Sequence, residues 1–219
     1  MPGARRPACL FLMGIALFGA LLLLPLYYQV ARGEGPLAAG LLIVPQGLGV
    51  AIAMPIAGRI TDRRGARAIV LPGVAVAAAG TFVYTQVSAH TPYALLATAL
   101  AVRGLGLGSM MMPVTAAALV SLPREALARA SRATVVIRQV SGSVGTALLA
   151  VLLARNIAGQ LPAAAGGLGV LRSLAPSQQA QAAPMLASAF GETFWTAFAL
   201  IAAVALPAAL LPRRAVAAQ

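Results

Sequence analysis

Acidic side chains are scarce in this 219-residue chain: Glu34, Asp62, Glu125 and Glu192 are all it has. His90 is the only histidine, Cys9 the only cysteine, and lysine is absent. One cysteine excludes an internal disulfide. One histidine, one cysteine and four acids cannot assemble a metal centre or a supported Ser–His pair. No Walker-type phosphate loop occurs, so ATP-driven chemistry has no motif to rest on. These absences point away from an enzyme and away from any bound cofactor or metal.

Charge of either sign is thin. Only 9% of residues are charged, 60% are hydrophobic, and the mean hydropathy is +0.90. A water-soluble domain carries roughly a quarter charged residues to cover its surface, so this composition calls for lipid. The net charge of +12 might be read as a nucleic-acid signal. However, all sixteen cations are arginines in short clusters between apolar runs. That is the arrangement of topology-setting charges in membrane proteins. Nucleic acid is therefore rejected as a partner and membrane lipid taken instead.

A membrane helix needs ~20 predominantly apolar residues to cross ~30 Å of hydrocarbon. Windows poor in charge predict six spans at about 8–31, 36–58, 68–89, 93–120, 133–154 and 193–211. The fold class is thus an all-α membrane protein with about six transmembrane helices in one domain, 1–219. The first run is too long for a signal-peptide core, and further spans follow it. Pro25, Pro45, Pro55, Pro113 and Pro207 fall within spans, which membrane helices tolerate where neighbours satisfy the freed carbonyl. Residues 155–191, rich in Ala, Gly, Gln and Pro, read as a long outer loop with a short surface helix near 178–190.

Six spans put both termini on one side. If that side is the cytoplasm, the inner segments hold Arg5, Arg6, Arg59, Arg63, Arg64, Arg67, Arg124, Arg129, Arg132, Arg213 and Arg214. The outer segments hold only Arg32, Arg155 and Arg172. This split satisfies the positive-inside rule. Tyr27, Tyr28, Tyr84, Tyr93, Phe194 and Trp195 fall near the outer ends, where interfacial anchors are expected.

The segment from Gly58 to Arg67, GRITDRRGAR, joins the second and third spans. A merely basic loop would explain its arginines but not Asp62, nor a glycine at both Gly58 and Gly65. Gly58 is expected to allow close helix approach, and Gly65 a tight turn. Asp62 is expected to meet the positive end of the third helix and pair with a neighbouring arginine. The pattern resembles the G-x-x-x-D-R-x-G-x-R signature of the major facilitator superfamily, carried here by Gly58, Asp62, Arg63, Gly65 and Arg67. Other pieces resemble one branch, the EmrB/QacA-type drug:proton antiporters with fourteen helices. These are LPLYYQ at 24–29, AGLLIVPQG at 39–47, RGLGLG at 103–108, RQVSGSVGTA at 138–147 and TFW at 193–195. Their order matches the second half of that family. The resemblance implies one half of a major facilitator fold, a proton gradient as energy source and a hydrophobic or cationic drug as substrate.

Arg103 lies ten residues into its span, ~15 Å deep, and Arg138 six residues past Arg132, ~9 Å deep. An arginine at such depth calls for a wet cavity or an acid, with snorkelling to headgroups as the alternative, above all for Arg138. The resemblance links an arginine on the corresponding helix to proton coupling. Gln29, Gln46 and Gln139 join these two as candidate coupling or cavity residues, against a plain role in interhelical hydrogen bonding. Gly104 with Gly108, and Ser141 with Gly145, form small-x-x-x-small pairs that suit close helix packing.

The leading expectation is part of a proton-coupled multidrug exporter lacking its N-terminal half, because no first-half motif and no central carboxylate are present. The alternative is a non-transporting or self-associating membrane module. If the charge asymmetry sets orientation, reporters active only outside the cytoplasm should be active when fused after Arg172 and silent after Arg214. The reverse pattern would overturn the topology.

Overall fold

The computed structural model describes residues 5–119, 124–161 and 176–209. Helix α1 spans Arg5–Leu26 and runs into a π-helical turn at Tyr27–Ala31. There follow α2 (Pro36–Arg64), α3 (Ala66–Thr85), α4 (Tyr93–Leu119), α5 (Arg124–Gln160), α6 (Pro176–Ala203) and the short α7 (Ala205–Ala208). Among the described residues there is no strand. Among the described residues five helices, α2 to α6, are long and apolar enough to cross a membrane, and α1 with the π-turn contributes a shorter apolar stretch at Phe18–Ala31.

Two boundaries differ from expectation. The outer loop assigned to 155–191 is mostly helix: α5 continues to Gln160 and α6 begins at Pro176. The surface helix expected near 178–190 is the first half of α6 itself. Alanine and glutamine dilute hydropathy there but are good helix formers. Ala182, Leu186 and Phe190 supply a buried stripe that ties the extension to the bundle. The second departure is in α2, which runs through the signature to Arg64, so Gly58 to Arg64 are helical rather than looped.

In lipid there is no hydrophobic drive between helices, so association depends on close packing and hydrogen bonds. Helix α4 lies between α2 and α3 with glycines on both sides. Gly104 and Gly108 face α2; a Cβ at Gly104 would strike the backbone of Gln46, and one at Gly108 would come within 2.7 Å of the Val50 carbonyl. Gly106 faces Ala77 and Gly73 of α3. Gly80 of α3 answers it, with an added Cβ 2.6 Å from the Ala99 carbonyl. Helices α1 and α5 pair in the same way. Gly145 rests 2.5 Å (as an added Cβ) from the Ile15 carbonyl, and Gly14 packs on Ser141. The two expected small-residue pairs are therefore helix contacts. Gly58 is not: an added Cβ there meets nothing within 4 Å among the described residues.

Two buried clusters fill the bundle. One, at the α3–α4 end, gathers Leu23, Leu24, Tyr27, Tyr28, Tyr84, Leu96, Phe190 and Phe194. The other, at the α2–α3 end, gathers Val70, Val74, Leu107, Met110, Ile201 and Val204. The first corrects the aromatic reading. Tyr27, Tyr28, Tyr84 and Phe194 are buried core residues rather than interfacial anchors, and only Tyr93 and Trp195 are exposed. The π-turn after Pro25 explains why two consecutive tyrosines both point inward. Its wider winding turns Tyr27 and Tyr28 together toward α3 and α6, where their rings pack edge to face at 5.3 Å.

These contacts separate two glycine substitutions. Gly104→Ala should lower the stability of the chain in detergent by about 1–3 kcal/mol, since the methyl meets backbone that cannot rotate away. Gly58→Ala should be neutral or stabilising by up to ~1 kcal/mol through helix propensity. Thermal unfolding of the two variants against wild type checks the contrast.

Candidate functional site

Arg103 is 1% exposed. Its Nε donates to Thr81 Oγ1 of α3 at 3.2 Å, and its Nη1 to Gln46 Oε1 of α2. Glycine makes this possible: the close approaches at Gly80 and Gly104 bring all three helices within reach of one guanidinium. Both partners are neutral. Nη2 has no hydrogen-bond partner among the described residues. Arg103 is thus enclosed within α2, α3 and α4, and among the described residues it meets neither an acid nor an open cavity. Among the sequence candidates, Gln46 joins it and Gln29, half-buried in the π-turn, does not. Thr81 was missed; its signal was a hydroxyl one turn before Tyr84 in an otherwise apolar span.

Above this brace, at the α3–α4 end, the tyrosines form a hydrogen-bonded set. Tyr28 and Tyr84 share a bond of 3.0 Å, Tyr84 Oη donates to the Leu96 carbonyl at 3.0 Å, and Tyr27 Oη to the Ser88 carbonyl at 3.1 Å. Arg32 closes the end of the bundle. Its Nη1 donates to the carbonyls of Ala89 at 2.6 Å and Thr91 at 3.0 Å, and its guanidinium lies 4.3 Å over the Tyr93 ring. Tyr93 Oη in turn donates to Glu34 Oε1. Burial lowers the Arg32 pKa, but the Tyr93 hydrogen bond and the neighbouring phenols outweigh it and hold the guanidinium above the usual arginine value.

A cleft of about 450 Å³ opens between α1 and α5, lined by Phe18, Gln139, Gly142, Ser143, Thr146, Ala147 and Ala150. The polar positions 139, 143 and 146 recur at helical spacing and so form a stripe. Ser143 donates back to the Gln139 carbonyl at 3.1 Å, and Thr146 to the Phe18 carbonyl at 3.5 Å. The hydroxyl protons are therefore engaged, while the oxygens can still accept. Gln139 was foreseen; Phe18, Ser143 and Thr146 were legible from the same periodicity but not singled out. Arg138 is half-buried beside the stripe, and its carbonyl accepts from the buried Ser141 at 3.0 Å.

At the opposite end, Gly65 separates α2 from α3 with φ 83° and ψ 160°, a conformation all but restricted to glycine. Its N–H donates to the Thr61 carbonyl at 2.9 Å. The expected turn is present. Asp62, however, lies in the last turn of α2, an unfavourable end of the helix dipole for a carboxylate. Arg63 and Arg64 share that turn and offset it. Asp62 is exposed and forms no ion pair among the described residues. Arg67 is half-buried in the first turn of α3. Thr115 and Glu125 have side chains outside the described set. Among the described residues no three His, Cys, Asp or Glu are grouped to hold a metal.

Comparison with known proteins agrees with this architecture. Residues 6–146 match the family model described as Major Facilitator Superfamily. The chain is 39% identical over 229 aligned residues to a multidrug resistance protein B homolog of Mycobacterium tuberculosis, covering 96% of this chain and 42% of that protein. It is 30% identical over 138 residues to the lincomycin resistance protein LmrB of Listeria monocytogenes, covering 63% of this chain and 29% of that one. The chain thus spans less than half the length of these curated relatives. The crystal structure of the E. coli fucose:proton symporter FucP superposes with a TM-score of 0.71 at 21% identity, over 99% of this chain and 52% of that one. Given the six-helix arrangement, the glycine-bounded turn at its expected place and a family match over most of its length, the chain belongs to the Major Facilitator Superfamily.

Proposed function

We propose that this chain forms a six-helix half of a secondary multidrug exporter and that the α1–α5 cleft is its share of the substrate path. The cleft carries the reading. It combines an aromatic ring, an amide and two hydroxyl oxygens on a face that is otherwise apolar. Such a surface can hold amphipathic molecules of varied shape without demanding one charge pattern. The multidrug and lincomycin resistance named for its relatives supports the same substrate class.

Energy coupling follows from where charge is found. Of the acids whose side chains are described, Glu34 and Asp62 lie at the ends of α2 and Glu192 lies within α6 on an exposed face, and none is fully buried. A proton carrier in the path would therefore come from the facing half, and the proton gradient is the proposed energy source. In this reading Arg103 is a brace rather than a carrier: three neutral-partnered helices lock around one cation. The Asp62–Arg67 turn, proposed to face the cytoplasm, would hold the helix ends through charge against the facing half.

Expressed alone, residues 1–219 should give no uncoupler-sensitive dye efflux above an empty vector. Joined to a six-helix first half from a related exporter, the chain should restore it. Efflux by the chain alone would overturn the half-transporter reading, and no efflux by the joined protein would favour a non-transporting module. Within the active joined protein, Thr146→Leu should reduce efflux ~tenfold at equal membrane abundance, the equivalent of one lost ligand contact of about 1.4 kcal/mol. Asp62→Asn should reduce it severalfold, since the amide keeps the shape but not the charge.

A further inference from the structure

A second cleft, of about 410 Å³, lies at the α3–α4 end, away from the α1–α5 groove. One wall is residues 85–90, where α3 ends and turns toward α4. The other is a single face of α6, with Glu192 and Trp195 one turn apart. No arginine among the described residues lines it. In a chain with sixteen arginines and four acids, a carboxylate in a cleft with no arginine among its described lining residues is an unusual placement.

Glu192 is oriented rather than neutralised. Its Oε1 accepts from Gln160 Nε2 at 3.1 Å, and the same amide donates to Ser188 Oγ at 3.2 Å. An amide partner leaves the full negative charge in place. Trp195 is 45% exposed, and its indole is held edge to face by Phe82 at 5.7 Å and Phe198 at 5.6 Å. A fixed, accessible indole beside a carboxylate attracts an organic cation through both its ring quadrupole and the neighbouring charge. One carboxylate is too few for a metal ion, and with a carboxylate and no arginine among its described lining residues the cleft does not suit an anion.

We propose that this cleft binds a small organic ammonium group, held between the Glu192 carboxylate and the Trp195 indole. Such a group could be the headgroup of an ethanolamine lipid or a free solute. Exposed Phe82 and Trp195, in ring contact with each other, place apolar surface beside the opening, so lipid has direct access to it.

Trp195 is the only tryptophan in the chain and reports on the cleft directly. The 219-residue chain in nanodiscs of phosphatidylglycerol alone is titrated with choline and with its neutral isostere, dimethylbutanol, while Trp195 emission is followed. Choline should give a saturable change, with dimethylbutanol binding at least ~tenfold more weakly. Glu192→Gln, which retains the Gln160 contact, should remove the difference between the two. Glu34→Gln, at the Tyr93 clasp, should leave it intact. Repeating the titration with phosphatidylethanolamine in the nanodisc assigns the source: loss of the choline response identifies the lipid headgroup, and an unchanged response identifies a free cation. Absence of a saturable response in phosphatidylglycerol, or equal responses to choline before and after Glu192→Gln, would overturn the proposal.

Discussion

The fold depends on how closely α4 approaches α2 and α3. Hydrocarbon outside the bundle is as apolar as the side chains within it, so nothing squeezes these helices together as water would. Contact has to come from backbone meeting backbone, and Gly104, Gly106 and Gly108 on α4, with Gly80 on α3, remove the side chains that would prevent it. The same closeness gives Arg103 its partners. A guanidinium reaching both Gln46 and Thr81 requires helices separated by little more than their own backbones. A methyl group at Gly104 would therefore disturb packing and polar satisfaction together.

Burial of Arg103 carries an electrostatic burden that two neutral hydrogen bonds only partly relieve, and Nη2 shows the remainder. The rest of the structure places charge more cheaply. Arg32 and Glu34 meet Tyr93 at the end of the bundle, Glu192 is held by Gln160, and Arg63 and Arg64 sit in the last turn of α2. Among the described residues Arg103 is the one charged side chain that is fully buried, and the others keep part of their surface exposed.

Six helices were legible because charge-poor windows of sufficient length have few other uses, and the turn at Gly65 was legible because a positive φ there excludes most other residues. The small-residue pairs were legible from spacing alone. What the sequence concealed were partners and faces. Hydropathy cannot distinguish a tyrosine anchored at a lipid interface from one buried between helices, so Tyr27, Tyr28 and Tyr84 were misplaced. Nor could it show that alanine- and glutamine-rich residues near 178–190 extend a helix, because their burial rests on a few positions such as Leu186 and Phe190. Arg103 was recognised as buried in the membrane by depth, but its neutral partners depend on the three-dimensional meeting of α2, α3 and α4.

The π-turn at Tyr27–Ala31 closes its hydrogen bonds one residue further back than α1 does; Arg32 N–H reaches the Tyr27 carbonyl at 3.2 Å. The segment therefore holds one residue more than an α-helical path of the same rise would contain. That extra residue is stored register. Were the turn to rewind as α-helix, everything on one side of it would rotate by about a third of a revolution relative to the other, with little change in length. The hydrogen bonds of Tyr27 and Tyr28 hold these terminal residues at the azimuth that the π-turn gives them.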